Sequence, residues 1–206
     1  MSSRETILGS IRSHLAASPP GDPPVLPSPA SSEVPATTPL VELFKQSLEA
    51  VNGRCLVVHT EQEITRILSD FGERIAISDA PVLSRLMPDA EIAPNASDIF
   101  QFDVGISTAQ AAIAETGTLV LDSARERHRF VSLVPPVHIA IIDAASIFQT
   151  LGEALAFIHQ QNNINPAVTF ITGPSRTADI ELTLAIGVHG PQELYVIINE
   201  GPPLTH

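Results

Sequence analysis

Tryptophan is absent from the 206 residues, and tyrosine and cysteine each occur once, the cysteine as Cys55. A lone cysteine excludes a disulfide framework and a thiolate-ligated iron–sulfur cluster held within the chain. Basic residues are scarce: 11 Lys and Arg stand against 23 Asp and Glu, a formal net charge of −12. That balance argues against general nucleic-acid binding, which needs cationic surface to neutralise phosphates. It leaves room for an anionic ligand, because one arginine can act locally inside an acidic protein. No apolar run approaches the length of a membrane span, and the N-terminus lacks a signal-peptide apolar core. The expectation is a soluble cytoplasmic protein without a membrane span or a nucleic-acid partner.

Several chemical signatures are missing as well. Gly173-Pro174-Ser175-Arg176-Thr177 lacks the second glycine and the lysine of a Walker A loop, and no GxGxxG opens a helix after the first strand. HExxH, Cys/His ligand spacings and the Gly-x-Ser-x-Gly elbow are absent. Glu115, Asp179, Glu181, His138 and His189 are scattered, and their spacing gives no support to a metal site.

What remains is an aliphatic core in a chain that is 44% hydrophobic, long enough for one large α/β domain or two small ones. Residues 1–17 read as an amphipathic helix with a Ser2/Glu5 capping box and an Ile7, Leu8, Ile11, Leu15 stripe. Residues 18–39 hold eight of the 18 prolines and read as a linker. From residue 40 to 206 the pattern alternates. Helix Leu40–Val51 precedes strand Cys55–His59, and Thr60 and Glu63 cap a helix carrying Ile64, Ile67 and Leu68. Strand Arg74–Ser78, a short helix begun by Pro81 and a brief strand near Glu91–Ala93 follow. Further strands are expected at Val104–Ile106, Leu119–Asp122, Val137–Ile142, Ala167–Thr172 and Leu194–Asn199, and the longest helix over Ala144–Gln161 with Ile147, Leu151, Leu155 and Ile158 buried. Near-continuous apolar strands alternating with helices predict a mostly parallel sheet covered on both faces.

Three segments carry candidate chemistry. The run Ala167–Thr172 reads as a buried strand breaking into Gly173-Pro174-Ser175-Arg176-Thr177-Ala178-Asp179. In an open α/β sheet such a loop, beyond a strand's carboxyl end, has the shape of an anion site. Gly173 permits close approach, Pro174 stiffens the turn, Ser175 and Thr177 supply hydroxyls, and Arg176 a planar fork for carboxylate or phosphate. The alternative is a strand-to-helix turn in which Asp179 caps the helix and Arg176 is solvated. In the second segment, Glu115-Thr116-Gly117-Thr118 places a carboxylate and two hydroxyls at a turn between apolar stretches. A desolvated Glu115 would suit acid–base or nucleophilic work, while a structural turn centred on Gly117 fits equally. In the third, Arg125, Arg127 and Arg129 form either an anion funnel or a solvated loop before Pro135-Pro136 and His138. His138 opens a strand as a ligand, proton carrier or satisfied core histidine, and His189 sits in a Gly187–Gly190 loop.

Taken together, DVGISTAQAAIAETGTLVLD, SLVPPVHIAIID and ITGPSRTADIELTLAIGVHGPQELYVII resemble the lactate-utilisation (LUD) domain, specifically the lactate-utilisation protein C type, over Leu40 to Ile198. The resemblance implies a three-layer α/β/α sandwich similar to the sugar-phosphate isomerase and CoA-transferase superfamily. It implies a role in oxidising L-lactate to pyruvate with iron–sulfur partner proteins. The clusters would sit on those partners, with no cofactor bound by this chain alone and a small carboxylate as ligand. CoA-transferase members use the glutamate of a Glu-x-Gly turn as nucleophile, a form shared by Glu115-Thr116-Gly117. The alternative is thus a stand-alone enzyme on a CoA thioester or sugar phosphate with Glu115 catalytic. The candidate substrate-binding set read from the segments themselves is Thr116, Gly117, Thr118, His138, Gly173, Pro174, Ser175, Arg176, Thr177, Asp179 and His189.

Overall fold

Four apolar segments, Ile75–Ile77, Val104–Thr108, Val137–Asp143 and Glu193–Asn199, are largely buried and pair side by side, as expected of strands lacking hydrophobic alternation. The computed structural model describes residues 3–17, 39–92, 94–123, 130–160, 167–178, 184–186 and 190–204. The chain divides into two units, Met1–Ser31 and Ser32–His206. The first contains α1 (Ser3–Ala17), on which Ile7 and Leu8 are exposed. Ser2, expected to cap it, lies outside the described residues, as do 18–38.

The second unit is built on a six-stranded parallel sheet of β1 (Arg54–Val58), β2 (Ile75–Ile77), β3 (Glu91–Ile92), β4 (Val104–Thr108), β7 (Val137–Asp143) and β12 (Glu193–Asn199). The strand order is β1-β12-β7-β4-β2-β3. On one face, α3 (Glu61–Ser69) and α4 (Pro81–Leu86) place Ile64, Leu68, Val82 and Leu83 against Ile77, Ile106, Ile139 and Ile141. Thr60 caps α3 as its sequence promised: its hydroxyl accepts from the Glu63 N–H at 3.2 Å. Glu63 in turn accepts from the His59 N–H at 2.9 Å. Pro81 occupies the first turn of α4, where its missing N–H costs nothing.

The opposite face carries a feature the sequence reading did not separate. Strands β5 (Ala111–Ile113), β6 (Thr118–Asp122), β8 (Ile147–Phe148) and β9 (Val168–Thr172) form a second sheet, ordered β8-β5-β6-β9, in which β6 runs antiparallel to both neighbours. Its inner face and α2 (Leu40–Ala50) enclose a core in which Phe44 and Leu48 meet Leu119, Ala140, Val196 and Ile198. Full burial of each large side chain contributes about 1.5–3 kcal/mol. Its outer face is covered by α6 (Leu151–Gln160) through Ala154 and Ile158. The fold is α/β, with a parallel central sheet and helices on both sides.

The expected long helix is therefore shorter. Residues 144–146 form a 3-10 turn, Ile147 is buried in β8, and α6 starts at Leu151 with Leu151 and Leu155 exposed. Thr150 and Glu153 set that start: Glu153 accepts from the Gln149 and Thr150 N–H groups at 2.9 and 3.1 Å. This capping box is written in the sequence, and it overrides the apolar stripe that suggested an earlier beginning.

One glycine fixes how the β5–β6 turn meets α2. Gly117, at φ +63°, turns β5 into β6, and a Cβ there would lie 2.4 Å from the Leu48 backbone nitrogen. Gly72, at φ +104°, has nothing within 4 Å of an added Cβ. Gly117→Ala should therefore add an overpacking cost of about 1–3 kcal/mol to the conformational cost that Gly72→Ala suffers alone. Urea unfolding of the two variants measures the difference. Equal losses would mean that the contact with α2 is dispensable.

Candidate functional site

A cavity of about 710 Å³ opens between the large sheet and β9. Its floor comprises His138 and Leu194 at the amino ends of β7 and β12. One wall comes from α5 (Phe130–Leu133), the opposite wall from Thr169–Thr172, and the rim from Gly173–Ser175 and Gly190–Gln192. α5 can stand this close to the sheet because residue 105 is glycine: a Cβ there would meet the Val131 carbonyl oxygen at 1.9 Å. The two rim segments are joined by the Ser175 N–H donating to the Pro191 carbonyl at 2.8 Å, and the Gln192 N–H ties to Pro136 at 2.7 Å.

The location corrects the expectation of a site at the carboxyl ends of a parallel sheet. The Gly173 loop does follow the carboxyl end of β9, but β9 belongs to the small mixed sheet and is only half-buried, with Phe170 45% exposed. Across the cavity it faces the amino ends of β7 and β12. At their carboxyl ends the chain covers itself. Asn199 donates to Asp143 and to the Pro202 carbonyl, both at 2.8 Å, and the Leu204 N–H donates to the Asp143 carboxylate at 3.2 Å.

His138 is the one sequence candidate at the floor. It is fully buried, and its Nε2 lies 2.8 Å from the Ser107 hydroxyl on the neighbouring strand. Nδ1 is buried without a hydrogen-bond partner among the described residues. Burial pushes the imidazole pKa down to about 3, so the ring is neutral near pH 7. Whichever tautomer Ser107 selects, one nitrogen stays free to donate or accept. An unsatisfied buried group of this kind costs about 1–3 kcal/mol. Ser107 escaped the sequence reading, although a hydroxyl directly following the apolar run Val104–Ile106 was a usable signal.

The Glu115 turn is placed differently. Glu115 is half-buried, its N–H donates to the Gln149 carbonyl at 3.2 Å, and it is not among the residues lining the cavity. Thr116, Thr118 and Thr172 form a hydroxyl chain with 2.7 Å between successive oxygens. That chain couples the turn to β9 beside Gly173. Gly173, at φ +77°, is needed because a Cβ would lie 2.5 Å from the Val51 carbonyl oxygen. Thus Gly173, Pro174, Ser175 and His138 share one cavity, while Glu115, Thr116, Gly117 and Thr118 lie behind it.

Directly after Ser175 the chain forms a strand, and Asp179, the cap of the alternative reading, lies outside the described residues. Arg176 and Thr177 are backbone positions in β10 (Arg176–Ala178), antiparallel to β11 (Leu184–Ile186). Asp179, Glu181, His189, Arg125, Arg127 and Arg129 lie outside the described residues. Among the described residues no group of three or more His, Cys, Asp or Glu could hold a metal ion. Burial, chiefly, pushes the Cys55 thiol up to about 11, which keeps it protonated and unreactive. No described helix is long and apolar enough to cross a membrane.

Fold and site together define a parallel-sheet α/β protein with an open cavity set against a buried, neutral histidine. Residues 72–199 match the model of the LUD domain, and the chain belongs to that family. An uncharacterised protein of Neisseria meningitidis is 46% identical over 96 residues, covering 46% of this chain and 41% of that protein. Lactate utilization protein C of Bacillus subtilis is 41% identical over 107 residues, 48% of this chain and 44% of that protein. The protein of the same name from Macrococcus caseolyticus is 34% identical over 137 residues, 64% of this chain and 58% of that protein. The chain thus spans about half the length of the curated relatives it matches. The crystal structure of a DUF162 family protein from Deinococcus radiodurans superposes with a TM-score of 0.59 at 22% identity, covering 78% of this chain and 96% of that one. This likeness shows the shared fold.

The charge state of His138 makes stability depend on pH. Its folded pKa lies below the ordinary value of 6.5, so between about pH 6.5 and 3 the unfolded chain binds more protons. The contribution is complete above pH 6.5 and is lost as pH falls through that window. The urea midpoint of the wild type should drop between about pH 6.5 and 4.5, and that of His138→Gln should drop distinctly less. Parallel curves would contradict a buried neutral ring.

Proposed function

We propose that the chain acts in a lactate-utilisation system as a subunit that binds a small carboxylate, L-lactate or pyruvate, while iron–sulfur partner proteins carry the electrons. The observation that carries this reading is the kinship with proteins named lactate utilization protein C, 41% identical in Bacillus subtilis over 107 residues. The single cysteine supports the division of labour: Cys55 cannot by itself ligate a cluster, so electron carriage falls to partners. The chemistry of the Gly173–Arg176 segment supports the ligand class. Ser175 lies on the cavity rim, and Arg176 follows with a guanidinium suited to bidentate carboxylate recognition.

Under this reading the purified chain alone should not oxidise lactate with a soluble electron acceptor, and addition of the iron–sulfur partners should restore oxidation. Calorimetry should detect L-lactate or pyruvate binding that Arg176→Ala weakens by about tenfold or more, at unchanged thermal stability. Turnover by the isolated chain would contradict the subunit role. Lactate affinity unchanged in Arg176→Ala would remove that arginine from the site.

A further inference from the structure

The large sheet ends on one side at β1, whose outer edge pairs with no strand among the described residues. The ladder with β12 fixes which backbone groups that edge offers. The Glu200 N–H donates to the Val58 carbonyl at 2.8 Å, and in a parallel ladder alternate residues turn both N–H and C=O to the same neighbour. Arg54, Leu56 and Val58 therefore face β12, while Cys55 and Val57 turn their N–H and C=O groups outward. The His59 N–H, next in the outward series, is taken by Glu63 at 2.9 Å. Among the described residues nothing pairs with the backbone of Cys55 or Val57. Leu56 and Val57, on opposite faces of the strand, are 38% and 40% exposed. The strand carries neither the proline nor the lysine that commonly blunts an exposed edge, and its one charge, Arg54, is paired with Glu193 at 3.1 Å. The outward series is self-complementary: Cys55 and Val57 lie symmetrically about Leu56, so a copy turned by half a revolution offers each N–H a carbonyl.

We propose that a second copy of this chain pairs here, β1 against β1 in antiparallel register about a two-fold axis at Leu56, joining the two large sheets into one. Cys55 of each copy then exchanges both backbone hydrogen bonds with Val57 of the other, and the two Leu56 side chains meet on the face that carries α3. On the opposite face α2 packs over β1 through Phe44, Leu48 and Cys55, so the two-fold sets the two α2 helices antiparallel across the axis. Lys45 and Glu49 of α2 lie beside Cys55, near enough to act on its thiol, and neither forms an ion pair among the described residues. In the antiparallel arrangement Lys45 of one copy approaches Glu49 of the other, and the symmetry repeats the contact. β1 is absent from the described lining of the cavity, so this interface and the carboxylate site stand or fall separately.

Sedimentation velocity of the full chain should show a dimer at micromolar concentration. Val57→Pro removes an outward N–H from each copy and leaves the β12 ladder intact, so it should weaken the dimer at least about tenfold. Should that variant fold poorly, crosslinking tests the register independently. Leu56 faces its own counterpart as a non-hydrogen-bonded pair, with Cα atoms about 4.5 Å apart and so within the disulfide range of about 4.4–6.8 Å. Leu56→Cys in a Cys55→Ser background should therefore oxidise to a covalent dimer, whereas Arg54→Cys in the same background should not. Lys45→Glu should weaken the dimer severalfold, and Lys45→Glu combined with Glu49→Lys should restore it. A monomer throughout the micromolar range, a dimer indifferent to Val57→Pro, equal crosslinking at positions 54 and 56, or no rescue by the charge swap would each overturn the proposal.

Discussion

The backbone of α2 approaches the small sheet at two points where the chain tolerates no side chain. At Gly117 it is the start of Leu48 that comes near, and at Gly173 the Val51 carbonyl. Both glycines also sit at positive φ, so each position is doubly restricted. Between them, the Thr116–Thr118–Thr172 hydroxyl chain pins the β5–β6 turn to the end of β9. These contacts set the small sheet's position over β7 and β12, and the cavity is the space left where β9 passes the amino ends of the large sheet. α5 closes it through a third close approach, at Gly105. The site is thus a product of layer geometry, with side chains from distant segments brought to one wall.

This arrangement explains why the carboxyl ends of the parallel strands, the usual ligand crevice of open α/β sheets, are used otherwise. Asp143 and Asn199 hold residues 200–204 across the ends of β7 and β12. With that end covered by residues 200–204, the cavity opens at the opposite end, beside the second sheet. The polar content there is a histidine whose charge is suppressed by burial, the serine that fixes one of its ring nitrogens, and the hydroxyls of Ser132, Thr169, Thr172 and Ser175 along walls and rim.

Much of the large sheet was legible in the residues. Val137–Ile142 and Leu194–Asn199 are continuous apolar runs because β7 and β12 lie buried in mid-sheet, and Thr60-x-x-Glu63 announced α3 through its cap. The split into two sheets was not legible. Local pattern gives an apolar strand the same appearance whether it pairs in parallel with β7 or antiparallel to β6, and that choice belongs to long-range packing. The start of α6 was encoded in Thr150 and Glu153, yet Ile147, buried for a strand's reasons, mimicked a helix stripe. At the site, the Gly173–Ser175 loop and His138 were visible as residue types, while their meeting was not. Thirty-five residues separate His138 from Gly173, and their proximity follows from the layers. Ser107 was hidden by its neighbours, and Glu115 drew attention through a motif although it stands outside the cavity.

The polar character of the cavity floor depends on His138 being a neutral, buried hydrogen-bonding group. Heteronuclear NMR of its ring nitrogens, followed from about pH 7.5 to 4.5, reads that state directly. The account predicts one neutral tautomer, with distinct protonated and unprotonated nitrogens, unchanged until the protein unfolds. An imidazolium signature appearing near pH 6 in the folded protein would contradict it.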